Sequence, residues 1–407
     1  MTVFNKLSGY LALEGNIRIL ALQTFVSQIG FGMMYTIWQP YMLSIGLSVI
    51  DLGLIQSVIN LSTAAGLFVW GALSDKFGRK PMILAASACR LLAIVALMVT
   101  GNWLLLLVFA FFVGFSALFM QSNPARTAMI SESVGVRRIA TAFSTLMAVS
   151  QITNMVMSSA GGLIALLFGF YPIFYICIAS EAIGIAGMSL FLVETHRSKS
   201  SVRRDSLWGA IKTYIVPERK IMPMYFIMVI MGFGYGVGTS IFNGALVESF
   251  GYSTLQLGIL NTVFSLAWGV SSIPLGKVAD RVGRKPMLLG SCVCSITTAL
   301  GFALFHSFEA FIIFNVVSAI TQALWMPSWV ALVAGKVSPM ERSKALGKLD
   351  AYSRLAGISA PYIAGVIYSN YGFSAPLMVM LCFAVVWTIM VLRLDTHVDA
   401  VNYPLPK

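Results

Sequence analysis

The chain has 407 residues, of which 58 % are hydrophobic and 10 % charged, with a formal net charge of +12 at pH 7. No soluble domain of this size could cover so much apolar surface, so a soluble globular protein is excluded. In a soluble chain such a charge would point to nucleic acid; here the cations flank long apolar stretches, and an anionic membrane surface accounts for them.

Twelve apolar stretches follow in order, at about 18–42, 51–74, 81–100, 103–127, 141–168, 172–193, 221–248, 254–277, 286–306, 309–335, 345–370 and 373–393. Each supplies the roughly 20 residues needed to cross a hydrocarbon layer about 30 Å thick. They are too long and too uniformly apolar for barrel strands, which predicts an all-α polytopic membrane protein. The odd-numbered connections (43–50, 101–102, 169–171, 249–253, 307–308 and 371–372) hold no Lys or Arg. The loop cations gather on the even-numbered connections and the two tails. The positive-inside rule then predicts a plasma-membrane protein with both termini in the cytoplasm. Glu14 and Arg18 flank the start of the first span, which can serve as its own uncleaved signal. The five cysteines fall within apolar spans without clustered His partners. They read as packing residues, and no metal or cofactor is expected.

An internal repeat organises the chain. Gly71–Met82 recurs 205 residues later as Gly276–Met287, matching Asp75 with Asp280, Gly78 with Gly283, Arg79 with Arg284 and Pro81 with Pro286. The offset extends upstream to Gly46/Gly251 and Ser48/Ser253, then slips to 203 at Pro124/Pro327 and Gly169/Gly372. Two copies of one six-helix unit are expected: residues 1–193, a cytoplasmic linker over 194–220, and residues 221–407. Parallel repeats are a transporter architecture, with the substrate site between them near mid-bilayer. In the repeated loop, the aspartate can face the positive end of a neighbouring helix. The glycine permits the reversal, and the proline suits a first helical turn. Arg79 and Arg284 can reach a carboxylate. A plain basic turn is the alternative, but two copies that keep the aspartate favour a paired latch.

This pattern, G-x-x-x-D-[KR]-x-G-R-K-P, resembles the signature between helices 2 and 3 of the major facilitator superfamily. Twelve spans, a pseudo-repeat and a long central loop extend the resemblance over the whole chain. It implies a secondary transporter whose loop locks two bundles together on the cytoplasmic side in the outward-open state. Asp75 and Arg79 would form the N-half latch, Asp280 and Arg284 its echo, with Glu132 and Glu341 as partners of the two arginines. Ser159-Ala160-Gly161-Gly162 resembles the tail of the antiporter signature in drug exporters of that family, although Met157-Ser158 stands where Gly-Pro is expected. A better helix-bending match is Gly357…Pro361…Gly365 on span 11.

Arg90 and Glu181 lie deep in spans 3 and 6. An intramembrane charge costs at least about 2.5–3.5 kcal/mol, so the two are expected to pair. The pair reads first as a fixed structural bridge; the alternative makes Glu181 a proton carrier. Arg354 follows Asp350 by one turn, which predicts an intrahelical pair. Glu248 ends span 7 near the outer surface, either solvated or as a gate. Span 1 has no acidic residue, unlike many proton-coupled exporters of the family. On that span Thr24, Gln28, Phe31, Tyr35 and Trp38 share one helical stripe.

The resemblance implies that spans 1, 4, 7 and 10 line the cavity. Their mid-depth polar and aromatic residues are Gln28, Phe31, Tyr35, Phe115, Phe119, Phe233, Tyr235, Asn243, Asn315, Gln322 and Trp325. Asn60, Asn154 and Trp268 could flank it. Hydrogen bonding between helices is the plain alternative for the amides. The set is aromatic and short of charge, which suits neutral or amphipathic solutes. Anions call for Arg or Lys, and Arg354 alone offers itself in this reading. Gly232, Gly234, Gly236 and Gly238 make span 7 easy to bend or to approach closely. No Ser/His/Asp set, HExxH or phosphate-cradling loop points to an enzyme. The expected function is a monomeric, proton-linked exporter of small amphipathic compounds working by alternating access. A proton symporter for a neutral metabolite such as a sugar, or a non-transporting receptor or assembly factor, are the other readings.

Overall fold

The computed structural model describes residues 11–99, 102–117, 123–135, 138–195, 216–337 and 342–395, without the side chains of residues 140, 273, 277, 280 and 342–344. Among them stand fifteen α-helices and no strand. In the first half these are α1 Gly15–Ser44, α2 Val49–Phe77, α3 Arg79–Met98, α4 Trp103–Phe115, α5 Pro124–Ser133, α6 Ile139–Phe168 and α7 Tyr171–Phe191. In the second half they are α8 Met222–Thr239, α9 Phe242–Phe250, α10 Thr254–Val282, α11 Arg284–Leu304, α12 Phe308–Lys336, α13 Arg342–Ala356, α14 Ala360–Tyr371 and α15 Ser374–Arg393. Ten segments are long and apolar enough to cross a membrane. The remaining two spans are each built from a broken helix, α4 with α5 and α13 with α14, which completes twelve crossings.

The sequence repeat is also a repeat of backbone conformation. Gly46 and Gly251 have φ of +93° and +66°, Gly78 and Gly283 +101° and +94°, and Gly169 and Gly372 +78° and +80°. Each matched pair ends a helix in a region that only glycine enters freely. The second span of each half opens with the same reciprocal cap: Ser48 with Asp51, and Ser253 with Gln256. The matched prolines diverge. Pro124 stands at the start of α5, whereas Pro327 lies inside the continuous α12.

The break in the fourth span is locally determined. Ser116 ends α4 and buried Ala117 takes a left-handed φ of +51°, a strained setting for a residue with a Cβ. Asn123 then closes the gap: its Nδ2 donates to the Ser116 carbonyl at 3.0 Å, and its Oδ1 accepts from the amides of Ala125 and Arg126. Backbone groups freed inside a membrane must find such partners. Arg126 is thereby fixed in the first turn of α5.

The described residues fall into two compact units. One contains residues 11–195 with Ile241–Ser265; the other contains residues 216–240 with 266–395. The division runs through spans 7 and 8. Span 7 is interrupted at Ser240–Ile241, between α8 and α9. Within the second unit the glycines of α8 are points of close packing. A Cβ on Gly232 would lie 2.3 Å from Ser353 Oγ, one on Gly234 2.6 Å from Phe383 Cβ, and one on Gly236 2.8 Å from Ala360 Cβ. Gly232 and Gly236 meet span 11 on either side of its break. The core of this unit joins Trp325, Trp329, Trp387, Leu332 and Leu349. Below it, buried Lys348 donates to Glu218 Oε1 at 2.8 Å and to the Val216 carbonyl at 2.7 Å. Burial works against the Glu218 carboxylate, but hydrogen bonds from Lys348 and Tyr225 outweigh it and hold its pKa below the usual value.

Candidate functional site

The first unit contains a polar cluster inside its apolar packing. Glu181 on α7 is fully buried and Arg90 on α3 is 5 % exposed. Arg90 Nη2 donates to Glu181 Oε2 at 2.6 Å, and Ser27 Oγ on α1 donates to the same oxygen at 2.7 Å. Ser27 also accepts from Arg90. The Phe31 ring lies 4.2 Å from the Arg90 guanidinium carbon, a cation–π contact in a dry setting. Gly30 makes room for the approach of α7, since a Cβ there would sit 2.5 Å from Cys177 Cα. The glycine brings α1 and α7 together, and their proximity puts Ser27 on the carboxylate.

Beside this pair lies Arg126, a basic residue within the stretch at 103–127 to which the sequence analysis gives no role. It is 5 % exposed. Its Nη1 donates to Gln23 Oε1 at 3.2 Å and its Nη2 to Thr24 Oγ1. Thr24 stands six residues past the start of the first apolar stretch at about 18, roughly 9 Å along α1. Arg126 is therefore an intramembrane arginine, and the set of deep charges is larger than Arg90, Glu181, Asp350 and Arg354. The available signal was Asn123-Pro124, a cap followed by a first-turn proline inside an apolar span.

The stripe on span 1 divides between several neighbours. Thr24 meets Arg126, Phe31 meets Arg90, Gln28 Nε2 donates to Ser150 Oγ at 2.6 Å, and Tyr35 is 42 % exposed. Phe115 stacks on Phe111 while its carbonyl accepts from Trp70 Nε1, so it serves the contact of α4 with α2. Asn154 Nδ2 points to Ser265 Oγ at 3.5 Å, and Asn243 is half-buried on α9. In the second unit, Tyr235 shares a 2.9 Å hydrogen bond with Ser295 and stacks on Trp387. Asn315 Nδ2 turns back to the Phe311 carbonyl, and Gln322 is half-buried. Trp325 stacks on Trp329 at 4.9 Å inside the apolar core. Asp350 and Arg354 pair along α13 at 3.0 Å. Phe119 lies outside the described residues.

At the basic end of the first unit, Arg79 pairs with Asp75 at 2.5 Å and with Glu132 at 3.0 Å. Glu194, which the sequence reading placed at the start of the linker, accepts the amides of Arg79 and Lys80 at 2.9 Å each. It caps the start of α3, where a carboxylate is favoured by the helix dipole. A Cβ on Gly78 would lie 2.7 Å from this carboxylate, a second reason for glycine there. Thr195 donates to Glu132 and completes the ring. In the second copy, Arg284 Nη1 is buried with no partner among the described residues. The side chain of Asp280 and all of Glu341 lie outside them.

A seam of small residues runs between α6 and the first half of α10, both in the first unit. Cβ atoms on Gly162 and Gly258 would lie 2.3 Å from the Thr254 carbonyl oxygen and 2.6 Å from that of Ser158. Thr254 Oγ1 donates to the Gly162 carbonyl at 2.8 Å, and Thr262 Oγ1 to the Met155 carbonyl at 2.6 Å. Ser159 Oγ and Thr262 Oγ1 are 2.7 Å apart. Since the threonine proton goes to Met155, the serine is the donor. At the same lysine-free end, Gln39 Oε1 accepts the Gly244 amide at 2.7 Å and Asn261 donates to Thr36 at 3.2 Å.

The profile of the Major Facilitator Superfamily matches residues 20–242 and 224–406. The chain is 22 % identical over 371 residues to the multidrug resistance protein MdtG of Proteus mirabilis, covering 88 % of this chain and 90 % of that protein. It is 22 % identical over 363 residues to multidrug resistance protein 2 of Bacillus subtilis, covering 86 % and 88 %. In three dimensions it is similar to the crystal structure of the nucleoside transporter NupG (D323A mutant), with a TM-score of 0.77 at 15 % identity, covering 93 % of this chain and 99 % of that one.

Proposed function

Because this chain belongs to the Major Facilitator Superfamily and is a multi-pass membrane transporter, we propose that it exports small amphipathic compounds in exchange for protons, by alternating access. Its place is the plasma membrane, with both termini cytoplasmic. The observation that carries alternating access is the seam of Gly162, Gly258, Ser159 and Thr262, which closes the lysine-free end of the first unit. Small residues let helices approach closely, and hydrogen bonds between membrane helices contribute only about 0.6 kcal/mol each. A handful of them is within reach of the work done by one charge crossing a membrane, about 2.3 kcal/mol per 100 mV. With basic loops inside, this end is the outer one. Export is supported by the names of the two relatives that match over most of their length.

The test uses purified protein in liposomes with a fluorescent amphipathic dye. A pH gradient, acid on the side opposite the dye, should drive accumulation of the dye, and a protonophore should abolish it. No flux under any gradient would overturn the reading. The ring around Arg79 is assigned the inner latch. Asp75 is 62 % exposed at its side chain, and such pairs contribute no more than about 1 kcal/mol. Asp75→Asn should therefore slow turnover several-fold while leaving the melting temperature nearly unchanged. Wild-type turnover in that variant would discard the latch.

A further inference from the structure

We infer that the first unit contains a binding site for one small monovalent anion, an inorganic ion or the carboxylate head of a solute, anchored by the Arg126 guanidinium. The argument is one of charge and of donors. Two buried guanidiniums, Arg90 and Arg126, share a cluster with one buried carboxylate, Glu181. Glu181 gives Oε2 to Arg90 and Ser27. Arg126 makes no ion pair among the described residues and rests on two neutral oxygens. A guanidinium keeps its proton in a protein, so the cluster holds one positive charge in excess. An uncompensated arginine inside the bilayer is costly and calls for a counter-charge. The first turn of α5, where Arg126 sits, adds positive potential of its own.

Donors are also in surplus. Arg126 spends two of its five N–H groups on Gln23 and Thr24. Arg90 Nε is buried with no acceptor among the described residues. Glu181 Oε1 is likewise without a partner there, yet Arg126 is not turned to it. The guanidinium is held elsewhere: Thr24 sends its own proton to the Leu20 carbonyl at 2.7 Å, so its oxygen can only accept from Arg126. A planar guanidinium fixed by neutral acceptors, with donors to spare, is suited to a carboxylate or a halide. Where the anion is a solute head, the inference rests on the export reading and narrows the cargo to amphipathic compounds bearing one negative charge.

The test measures melting temperature of the purified full chain in detergent against sodium benzoate, neutral benzamide and sodium chloride, at ionic strength held with sodium sulfate. Benzoate should stabilise the wild type and benzamide should not. Charge-assisted hydrogen bonds contribute about 1.5–3 kcal/mol, so Arg126→Gln should weaken benzoate binding by about tenfold or more. Stabilisation by chloride as well would assign an inorganic anion; stabilisation by benzoate alone would assign the carboxylate of a solute. Equal effects of benzoate and benzamide, or an unchanged benzoate affinity in Arg126→Gln, would overturn the site. If that variant cannot be purified, Arg126→Lys, which keeps the charge and loses the planar fork, should still weaken benzoate; an undiminished affinity there would overturn it equally. Anion binding without flux would keep this site and remove the export reading. Dye export with no anion-dependent shift would do the reverse.

Discussion

Oxidation of a Ser159→Cys, Thr262→Cys double variant is expected to stop transport, and reduction is expected to restore it. The two side-chain oxygens are 2.7 Å apart across the α6–α10 seam, so cysteines at these two positions face each other across it. Alternating access requires that seam to part once in every cycle. Its hydrogen bonds are weak enough to exchange, at about 0.6 kcal/mol each; a covalent bond is not. Each single variant keeps one native partner and should transport under oxidant at close to the wild-type rate. Full transport by the oxidised double variant, with the cross-link verified by mass spectrometry, would mean that α6 and α10 move as one body. The gate would then have to be sought elsewhere.

Removing the Glu181 carboxylate should produce the largest loss of stability available from one substitution in the first unit. The pair is dry: side-chain exposures are 6 % for Arg90 and 0 % for Glu181. Truncating one partner leaves the other charge buried, a change of about 3–5 kcal/mol. Glu181→Ala should therefore lower the melting temperature sharply, whereas an Arg90→Met, Glu181→Leu double variant should recover most of it. An apolar pair of similar volume carries no desolvation cost. Should the single and double variants melt alike, the pair would not be what holds α3, α7 and α1 together. Glu181→Gln adds a functional readout. With the bridge as a fixed element, the variant loses stability but still responds to a pH gradient. A variant that transports equally at all gradients would transfer the proton to Glu181.

The ring of charges around Arg79 and the polar cluster were legible to different degrees. Asp75 and Arg79 could be named from the duplicated loop, because a repeated motif fixes residue type and spacing together, and Glu132 from the family resemblance. Glu194 could not, since a carboxylate more than a hundred residues away gives no local sign of capping α3. The deep positions of Arg90 and Glu181 followed from counting along uniformly apolar spans. That both share Ser27 depends on the approach of α1 and α7 at Gly30. Arg126 escaped because mean hydropathy averages over a helix break. The fourth span reads as one oily run, while Ala117 and Asn123 interrupt it and carry a basic side chain inward.

Hydropathy and the internal sequence repeat by themselves determined that this chain is a twelve-span helical protein built from a duplicated half, because lipid leaves backbone groups no partner except their own helix and each span must have a set length. The paired glycines determined where helices end, since their positive φ values are a local property. Tertiary structure alone decided which small residues meet, which polar side chain lies beneath which cation, and that spans 7 and 8 are each divided between two compact units. Those choices turn on contacts between helices that every apolar surface in lipid permits about equally. Packing at Gly162, Gly258 and Gly30, and the hydrogen bonds that each approach allows, selects among them.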